Sequence, residues 1–237
     1  MVHVNIVIPM EPQEPQDTTL PPANRRRYGG VLPEERQRQR RAKLIDGGIE
    51  VFGGKGFHAS TVREVCVAAH LTERYFYESF KSLSELFIAV YGHLRQQMMD
   101  ETLGALQQQV ASGQTDPMAM LDPALRVFLE FIRNDPRRGR ILLVDSLGID
   151  SEVARLSGET ARDYSGLLKM HLHRIVPQGT LALVDLDLLA DGMIGLNILL
   201  AARWMQDGFV TPIDTVVRTN MLPYQGLLAL VQAEQAR

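Results

Sequence analysis

The sequence predicts an all-α protein. From about residue 33 onward, apolar residues recur three and four positions apart, the spacing that places them on one face of a helix. No segment alternates between apolar and polar residues for long enough to predict a strand. Breaks that contain proline separate the periodic stretches, as at 116–117, 134–136 and 177–179. With 237 residues, of which 45% are hydrophobic, the chain is long enough to form a core of ordinary composition.

The composition argues against several classes of protein. The lone cysteine, Cys66, cannot form a disulfide within the chain, and no Cys or His residues have zinc-ligand spacing. The apolar start is short and has no basic residue before it, and nowhere do about 18 apolar residues run together as a membrane span requires. We therefore expect a cytoplasmic, soluble protein with no metal, no cofactor and no membrane partner.

Charge is distributed unevenly along the chain. The net charge is −3, yet residues 25–85 hold twelve Lys or Arg against eight Asp or Glu, and residues 86–237 hold thirteen against seventeen. A basic N-terminal part and an acidic C-terminal part predict that the N-terminal part contacts phosphate and the C-terminal part does not.

Residues 1–32 are rich in proline and end near the run Arg25-Arg26-Arg27. Such a stretch has too little periodic apolar surface to fold alone, so it is predicted to be a flexible arm. Two interpretations stay open: a disordered tail, or a basic arm that adds to nucleic-acid binding.

A first helix is predicted from Pro33, because proline suits a first helical turn and two acidic residues follow it. The glycines of 53–56 are predicted to end it. A second helix starts at a capping-box signature, in which Thr61 accepts from the Glu64 amide and the glutamate reaches back. Cys66 falls on the apolar face of this helix and is predicted to be a core residue.

A third helix is predicted over 73–80, with Thr72 as its cap. Phe76 and Phe80 lie four positions apart and face inward. The outward positions belong to Arg74, Tyr75 and Tyr77. A further capping box, Ser82 with Glu85, opens a long helix that runs toward residue 106.

Two short helices joined by a tight turn, with polar and aromatic side chains on the second, form the geometry that lays a helix in the major groove of DNA. In these residues, chiefly 56–65, 68–72 and 76–82, the chain resembles the TetR-type (tetracycline-repressor) family of transcriptional regulators. The resemblance implies a three-helix helix-turn-helix DNA-binding domain at 33–82. It further implies a larger helical ligand-binding and dimerisation domain at 83–237.

The chain departs from the family pattern at four positions. His70 stands at the turn position that is usually glycine, and it is expected to adopt a left-handed conformation. Glu73 and Arg74 replace a frequent Lys and Gly, and Leu83 replaces a frequent Lys two positions after Lys81. These changes leave the fold prediction intact but alter the residues that would face the operator.

The resemblance assigns roles to the DNA-facing residues. Phosphate contacts are expected from helix N-termini, a phenol and an ammonium, at Thr61, Thr72, Tyr77 and Lys81. Base contacts are expected from Arg63, Arg74 and Tyr75, because an arginine can pair with guanine and a tyrosine ring can touch a thymine methyl. Glu73 either accepts from a cytosine amine or repels stray phosphate.

The resemblance also implies a small-molecule cavity among the middle helices. Mostly apolar surfaces with a few polar groups are typical of such sites. The candidate residues are Arg126, Phe128, Asp145, Met170, His171, Met193, Asn197 and Trp204. His171 and His173 point to different faces of a helix and make a poor metal pair.

The last two helices are predicted at roughly 182–207 and 212–235, and both carry broad apolar faces. Leu222, Leu227, Leu230 and Val231 form a stripe on the second. More apolar surface than one monomer readily hides predicts a homodimer. Two recognition helices about 34 Å apart would then read successive major grooves of double-stranded operator DNA.

The predicted function is a ligand-responsive transcriptional regulator, by default a repressor released from its operator by a small molecule. The alternative is a helical protein-binding module that has lost specific DNA recognition, which Glu73 and His70 favour slightly. An enzyme is not expected, because a nucleophile with a base, paired carboxylates and a metal cluster are all missing from the sequence pattern.

Overall fold

The computed structural model describes residues 32–114, 116–145, 151–177, 180–181 and 184–236. Secondary structure in these ranges is helical, in agreement with the predicted fold class. The predicted arm of residues 1–32 lies outside them except for Leu32. The elements are α1 (Pro33–Lys55), a 3-10 turn (Phe57–Ala59), α2 (Val62–Ala68), α3 (Glu73–Ser79), α4 (Leu83–Ala111), α5 (Pro117–Asn134), α6 (Pro136–Gly139), a π-helical turn (Arg140–Val144), α7 (Ser151–Ile175), α8 (Leu186–Gln206) and α9 (Ile213–Gln235).

Helix α1 is longer than its glycines predict. It runs through Gly53 and Gly54 to Lys55 and ends at Gly56, whose φ is 88°. Gly53 remains helical because α6 packs directly against it: a Cβ built there would lie 2.2 Å from the Cβ of Arg137. Gly53 therefore allows α1 and α6 to approach closely, and it does not end the helix.

The predicted start and end of α2 are confirmed. The hydroxyl of Thr61 accepts from the Glu64 amide, and the Glu64 carboxylate accepts from the Thr61 amide. At the other end His70 has a φ of 53°, in the left-handed region. Cys66 is buried, and burial raises the pKa of its thiol.

The predicted caps of the next two helices need correction. Thr72 occupies the N-cap position of α3 with extended backbone, but its side chain makes no capping bond; its carbonyl accepts from the Tyr75 amide instead. Ser82 caps α4 by accepting from the Glu85 amide. The Glu85 carboxylate accepts from the Lys81 amide, one residue before the expected partner.

Two hydrophobic cores stabilise the fold. The first gathers residues of α1 to α4, including Phe52, Phe76 and Phe80, and extends to Ile141 and Leu142 of the π-helical turn. The second lies among α5, α7, α8 and α9. Because the first half of α4 belongs to the first core, the domain boundary at 82/83 stays a prediction.

Helix α8 has the length and apolar composition of a membrane-spanning segment, and is the one such helix among the described residues. A core helix of a globular protein meets the same test. Only 28% of its most apolar window is buried, and it carries Asp187, Asp191 and Arg203. Its exposed apolar side chains include Leu188 and Leu199.

Candidate nucleic-acid interface and internal cavity

The surface formed by α2, α3 and the start of α4 exposes most of the predicted DNA-binding side chains. Phe76 and Phe80 are buried beneath α3 and fix its orientation. The Tyr77 side chain is 60% exposed although it is aromatic. The other exposed members of the predicted set are Thr61, Arg63, Thr72, Glu73, Arg74 and Lys81.

Tyr75 differs from the other predicted base-contacting residues because it is half-buried. The guanidinium carbon of Arg40, on α1, lies 4.6 Å from the centre of the Tyr75 ring. Such a cation–π contact holds the ring against the first helix. Arg40 also lies 3.7 Å from the Glu78 carboxylate, which accepts from Arg74 Nε at 3.1 Å. Arg40 therefore orients two neighbours on the outward face of α3.

Thr61 is exposed but already engaged within the chain. Its hydroxyl donates to the Glu64 carboxylate at 2.8 Å, and the same carboxylate pairs with Lys55. Hydrogen bonds from Lys55 and then Thr61 hold the pKa of Glu64 below its ordinary value. The start of α2 is fixed by this group of three side chains.

The C-terminal part of the chain forms a partly open cavity of about 550 Å³ between α4, α5, α7, α8 and α9. Among the described residues that line it there is no Asp, Glu, Lys or Arg. Its apolar wall includes Phe128, Leu142, Leu143 and Met221. The polar lining residues are Tyr91, Thr102, Ser157, Thr160, Tyr164, His171, Asn197 and Tyr224. The cavity is thus suited to an apolar molecule with few polar groups.

Several hydroxyls of the cavity bond to one another or to backbone. Tyr91 donates to Thr160 at 3.2 Å, and Thr160 donates to the carbonyl of Leu156 at 2.9 Å. Across the cavity, the Asn197 amide donates to the Tyr224 hydroxyl at 3.0 Å. Burial raises the pKa of Tyr164 to about 12 and also raises the pKa of Tyr224. Both phenols are therefore protonated at neutral pH.

Three of the eight predicted ligand-binding residues, Phe128, His171 and Asn197, line the cavity. The other five lie elsewhere. Arg126 pairs with Asp214 at 2.8 Å and with Asp122 at 3.5 Å on the outer side of α5.

Asp145, Met170, Met193 and Trp204 also have other surroundings. Asp145 faces the 3-10 turn, and Met170 is 61% exposed. Met193 is buried in the second core. Trp204 is buried there as well, where its indole donates to the carbonyl of Thr211 at 2.7 Å.

The sequence prediction missed the tyrosines of the cavity. Tyr91 and Tyr224 lie on helix faces that are otherwise apolar, between Val90 and Leu94 and between Met221 and Leu227. A polar residue on an apolar face was the available signal. Which of these faces adjoin an open space depends on the packing of five helices, and a single sequence does not reveal it.

One segment touches both the cavity and the end of α1. Leu142 and Leu143, in the π-helical turn, line the cavity. At its two ends, Arg140 donates to the Gly54 carbonyl at 3.3 Å and the Asp145 carboxylate accepts from the Phe57 amide at 3.2 Å. The turn therefore joins the cavity wall to the end of α1.

A protein-family model matches part of the chain. The family described as "Bacterial regulatory proteins, tetR family" matches residues 44–90. The chain is also similar to the HTH-type transcriptional activator FasR of Mycolicibacterium smegmatis, with 29% identity over 133 residues. That match covers 56% of this chain and 57% of FasR, so it spans a little over half of the relative.

Solved structures share the fold at low sequence identity. The fatty acid degradation regulator FadR from Bacillus halodurans has a TM-score of 0.67 and 16% identity, over 78% of this chain and 94% of that one. FadR from Bacillus subtilis, in complex with stearoyl-CoA, has a TM-score of 0.64 and 15% identity, over 80% and 96%. A TetR-like regulator from Rhodococcus sp. RHA1 has a TM-score of 0.63 and 19% identity, over 79% and 95%.

Proposed function

Because the chain belongs to the tetR family of bacterial regulatory proteins through residues 44–90, we propose that it is a ligand-responsive, DNA-binding transcriptional regulator. The observation that carries this proposal is the outward face of α2 and α3, where exposed Arg63, Arg74 and Tyr77 stand over the buried Phe76 and Phe80. A surface of this kind presents one helix to the major groove while its apolar side holds the domain together.

The DNA-facing residues fall into two groups. Thr61, Thr72, Tyr77 and Lys81 contact phosphates and position the protein, whereas Arg63, Glu73, Arg74 and Tyr75 face base edges and select the sequence. Support comes from the exposure of all but Tyr75, which is half-buried against Arg40 of α1.

The effector enters the cavity of about 550 Å³. Its described lining, which is mostly apolar and has no Asp, Glu, Lys or Arg, supports a molecule with a long apolar part. The stearoyl-CoA bound by Bacillus subtilis FadR is a molecule with such a part. Effector binding is transmitted through the π-helical turn, because Leu142 and Leu143 line the cavity while Arg140 and Asp145 contact the end of α1.

The functional unit is a homodimer that acts in the cytoplasm. On α8, Leu188 and Leu199 are 69% and 66% exposed, and Gly192 and Gly195 continue the same face. On α9 the predicted stripe divides: Leu222 and Leu230 are exposed, but Leu227 and Val231 are buried within the monomer. Two-fold packing of the exposed face of α8 and α9 would remove this apolar surface from water.

Selection of genomic DNA fragments by the purified chain tests the proposal. The recovered fragments are expected to share a near-palindrome whose half-sites lie about 10 base pairs apart or a multiple of it. Arg63→Ala should abolish the enrichment, whereas Arg155→Ala, at an exposed position of α7, should leave it unchanged. Recovery of fragments without a common sequence would contradict specific recognition and favour the protein-binding alternative.

The sign of regulation is a separate question, tested with a reporter fused to the recovered fragment. Repression is the prediction drawn from the family resemblance, although FasR is named an activator. Expression that rises on deletion of the regulator supports repression. Expression that is lost on deletion contradicts it.

A further inference from the structure

Asn197 of α8 and Tyr224 of α9 form a hydrogen-bonded pair in the wall of the cavity. The Asn197 Nδ2 donates to the Tyr224 hydroxyl at 3.0 Å. The Asn197 Oδ1 is buried and has no hydrogen-bond partner within the described part of the chain. Because Tyr224 accepts in this bond, its own proton remains to be donated. The pair therefore offers one donor and one acceptor.

Three other hydroxyls in the cavity already donate within the chain, whereas the buried Tyr164 hydroxyl makes no hydrogen bond within the described residues. Tyr91 donates to Thr160, Thr160 donates to the Leu156 carbonyl, and Thr102 donates to the Met98 carbonyl. Buried polar atoms are nearly always hydrogen-bonded. An acceptor without a partner, next to a hydroxyl that has not donated its proton, therefore indicates where a polar group of a ligand binds. Asn197 and Tyr224 meet that description together.

The charge of that ligand group follows from the lining. Among the described lining residues there is no Lys or Arg, and no Asp or Glu to offset a cation; His171, on α7, is the one lining side chain there that can carry a positive charge. Burying an unpaired charge is strongly unfavourable. In either orientation of the Asn197 amide the pair stays uncharged. In the orientation described here, a hydroxyl group satisfies both atoms, because it accepts from Tyr224 and donates to Asn197.

We propose that Asn197 and Tyr224 bind a neutral hydroxyl group carried by a largely apolar effector, and that they select it over a carboxylate. The inference rests on the proposed function, in that the cavity is taken to be the effector site, and it deepens that function by naming the polar group. An unbranched acyl chain without a hydroxyl would leave the Asn197 oxygen unsatisfied.

Calorimetric titration of the full chain with three probes of equal chain length tests the inference. The probes are decanol, its methyl ether and decanoate. The wild-type chain is expected to bind decanol several-fold more tightly than the ether, which cannot donate, and more than about tenfold more tightly than decanoate. Tyr224→Phe should weaken decanol binding by about tenfold and leave the ether within about twofold.

Tyr91→Phe is the matched control, because it removes a hydroxyl from the same cavity that already donates to Thr160. It should leave the ranking of the three probes unchanged. Asn197→Leu is a second variant of the pair, and it should erase the preference for decanol over its ether. Thermal unfolding of each variant without a probe, followed by Trp204 fluorescence, reports whether the fold is retained.

Three outcomes would overturn the inference. They are decanoate bound as tightly as decanol, no binding of decanol, or a folded Tyr224→Phe protein in which the affinities for decanol and for its ether fall by the same factor. Failure of the proposed function looks different. A chain that discriminates among the probes but selects no DNA sequence would overturn the regulator and leave the assignment of the pair in place.

Discussion

The carboxylate of Asp145 accepts a hydrogen bond from the backbone amide of Phe57 at 3.2 Å, across 88 positions of sequence. Asp145 directly follows the π-helical turn that lines the cavity, and Phe57 directly follows the glycine that ends α1. This hydrogen bond and the neighbouring bond from Arg140 to Gly54 therefore link the segment that lines the cavity to the end of α1 and the 3-10 turn before α2, and we propose that a change in the cavity wall is transmitted through them.

Asp145→Ala should reduce the coupling between cavity and DNA. The substitution removes the acceptor of the Phe57 amide, so a ligand in the cavity has less influence on the start of α2. The change in DNA affinity caused by saturating decanol is expected to shrink several-fold, while decanol binding to the free protein stays within about twofold. Anisotropy of a labelled operator measures the former.

Asp100→Ala provides the control for this experiment, because Asp100 is exposed on α4 and accepts only from Gln96 in the described contacts. Its coupling should equal that of the wild type. An Asp145→Ala protein with undiminished coupling would contradict transmission through this contact.

Tyr75→Ala should change which sequences are bound. The half-buried ring packs against Arg40 of α1, and its loss removes both the proposed apolar base contact and the support of that guanidinium. Preference at the contacted base pair is expected to fall by about 1–3 kcal/mol. Competition among operators with single base changes measures this.

Tyr75→Phe keeps the ring and is expected to retain the thymine-methyl contact. If Tyr75→Ala and the wild type show the same relative affinities for all operators, Tyr75 does not take part in base recognition.

Gly53→Ala should destabilise the packing of α1 on α6. The new Cβ would lie 2.2 Å from the Cβ and 2.8 Å from the Cα of Arg137, so backbone has to move. The free energy of unfolding in urea is expected to fall by about 1–3 kcal/mol. Gly54→Ala meets nothing within 4 Å and should instead stabilise the helix by roughly 0.5–1 kcal/mol. A similar effect of the two substitutions would argue against the close approach.

Tyr164→Phe should alter stability at high pH. Burial raises the pKa of Tyr164 to about 12. An unfolded tyrosine ionises near pH 10, so the unfolded chain loses this proton first. The contribution of the Tyr164 phenol to the free energy of unfolding is complete below about pH 10 and is lost as the pH rises to about 12.

Removing the phenol should lessen that loss by roughly 1–2 kcal/mol, as measured by urea unfolding over this pH range. Tyr77→Phe is the control, because the Tyr77 side chain is 60% exposed. An equally steep loss in Tyr164→Phe and the wild type would contradict the prediction.

Local chemistry predicted the DNA-binding helices well. The capping box at Thr61, the left-handed His70 and the inward Phe76 and Phe80 all follow from residues a few positions apart. The half-burial of Tyr75 did not follow, because Arg40 lies 35 positions earlier and reaches it only after α1 packs on α3.

The cavity was the least predictable feature for the same reason. Its wall combines residues of five helices. Met193 and Trp204 are as apolar as most residues that line it, whereas Arg126 differs from the described lining residues in its charge. The packing of those helices decides that Arg126 pairs with Asp214 and that Met193 and Trp204 lie in the second core, so that none of the three reaches the cavity wall.

The most direct test of the proposed regulator is its affinity for the DNA upstream of its own gene, measured across salt concentrations. We predict specific binding whose affinity falls steeply as salt rises, because phosphate contacts release counterions. Lys81→Ala should reduce the logarithmic slope by about 1, whereas Lys169→Ala, on α7, should not change it. No binding to any upstream fragment at low salt would contradict the regulator.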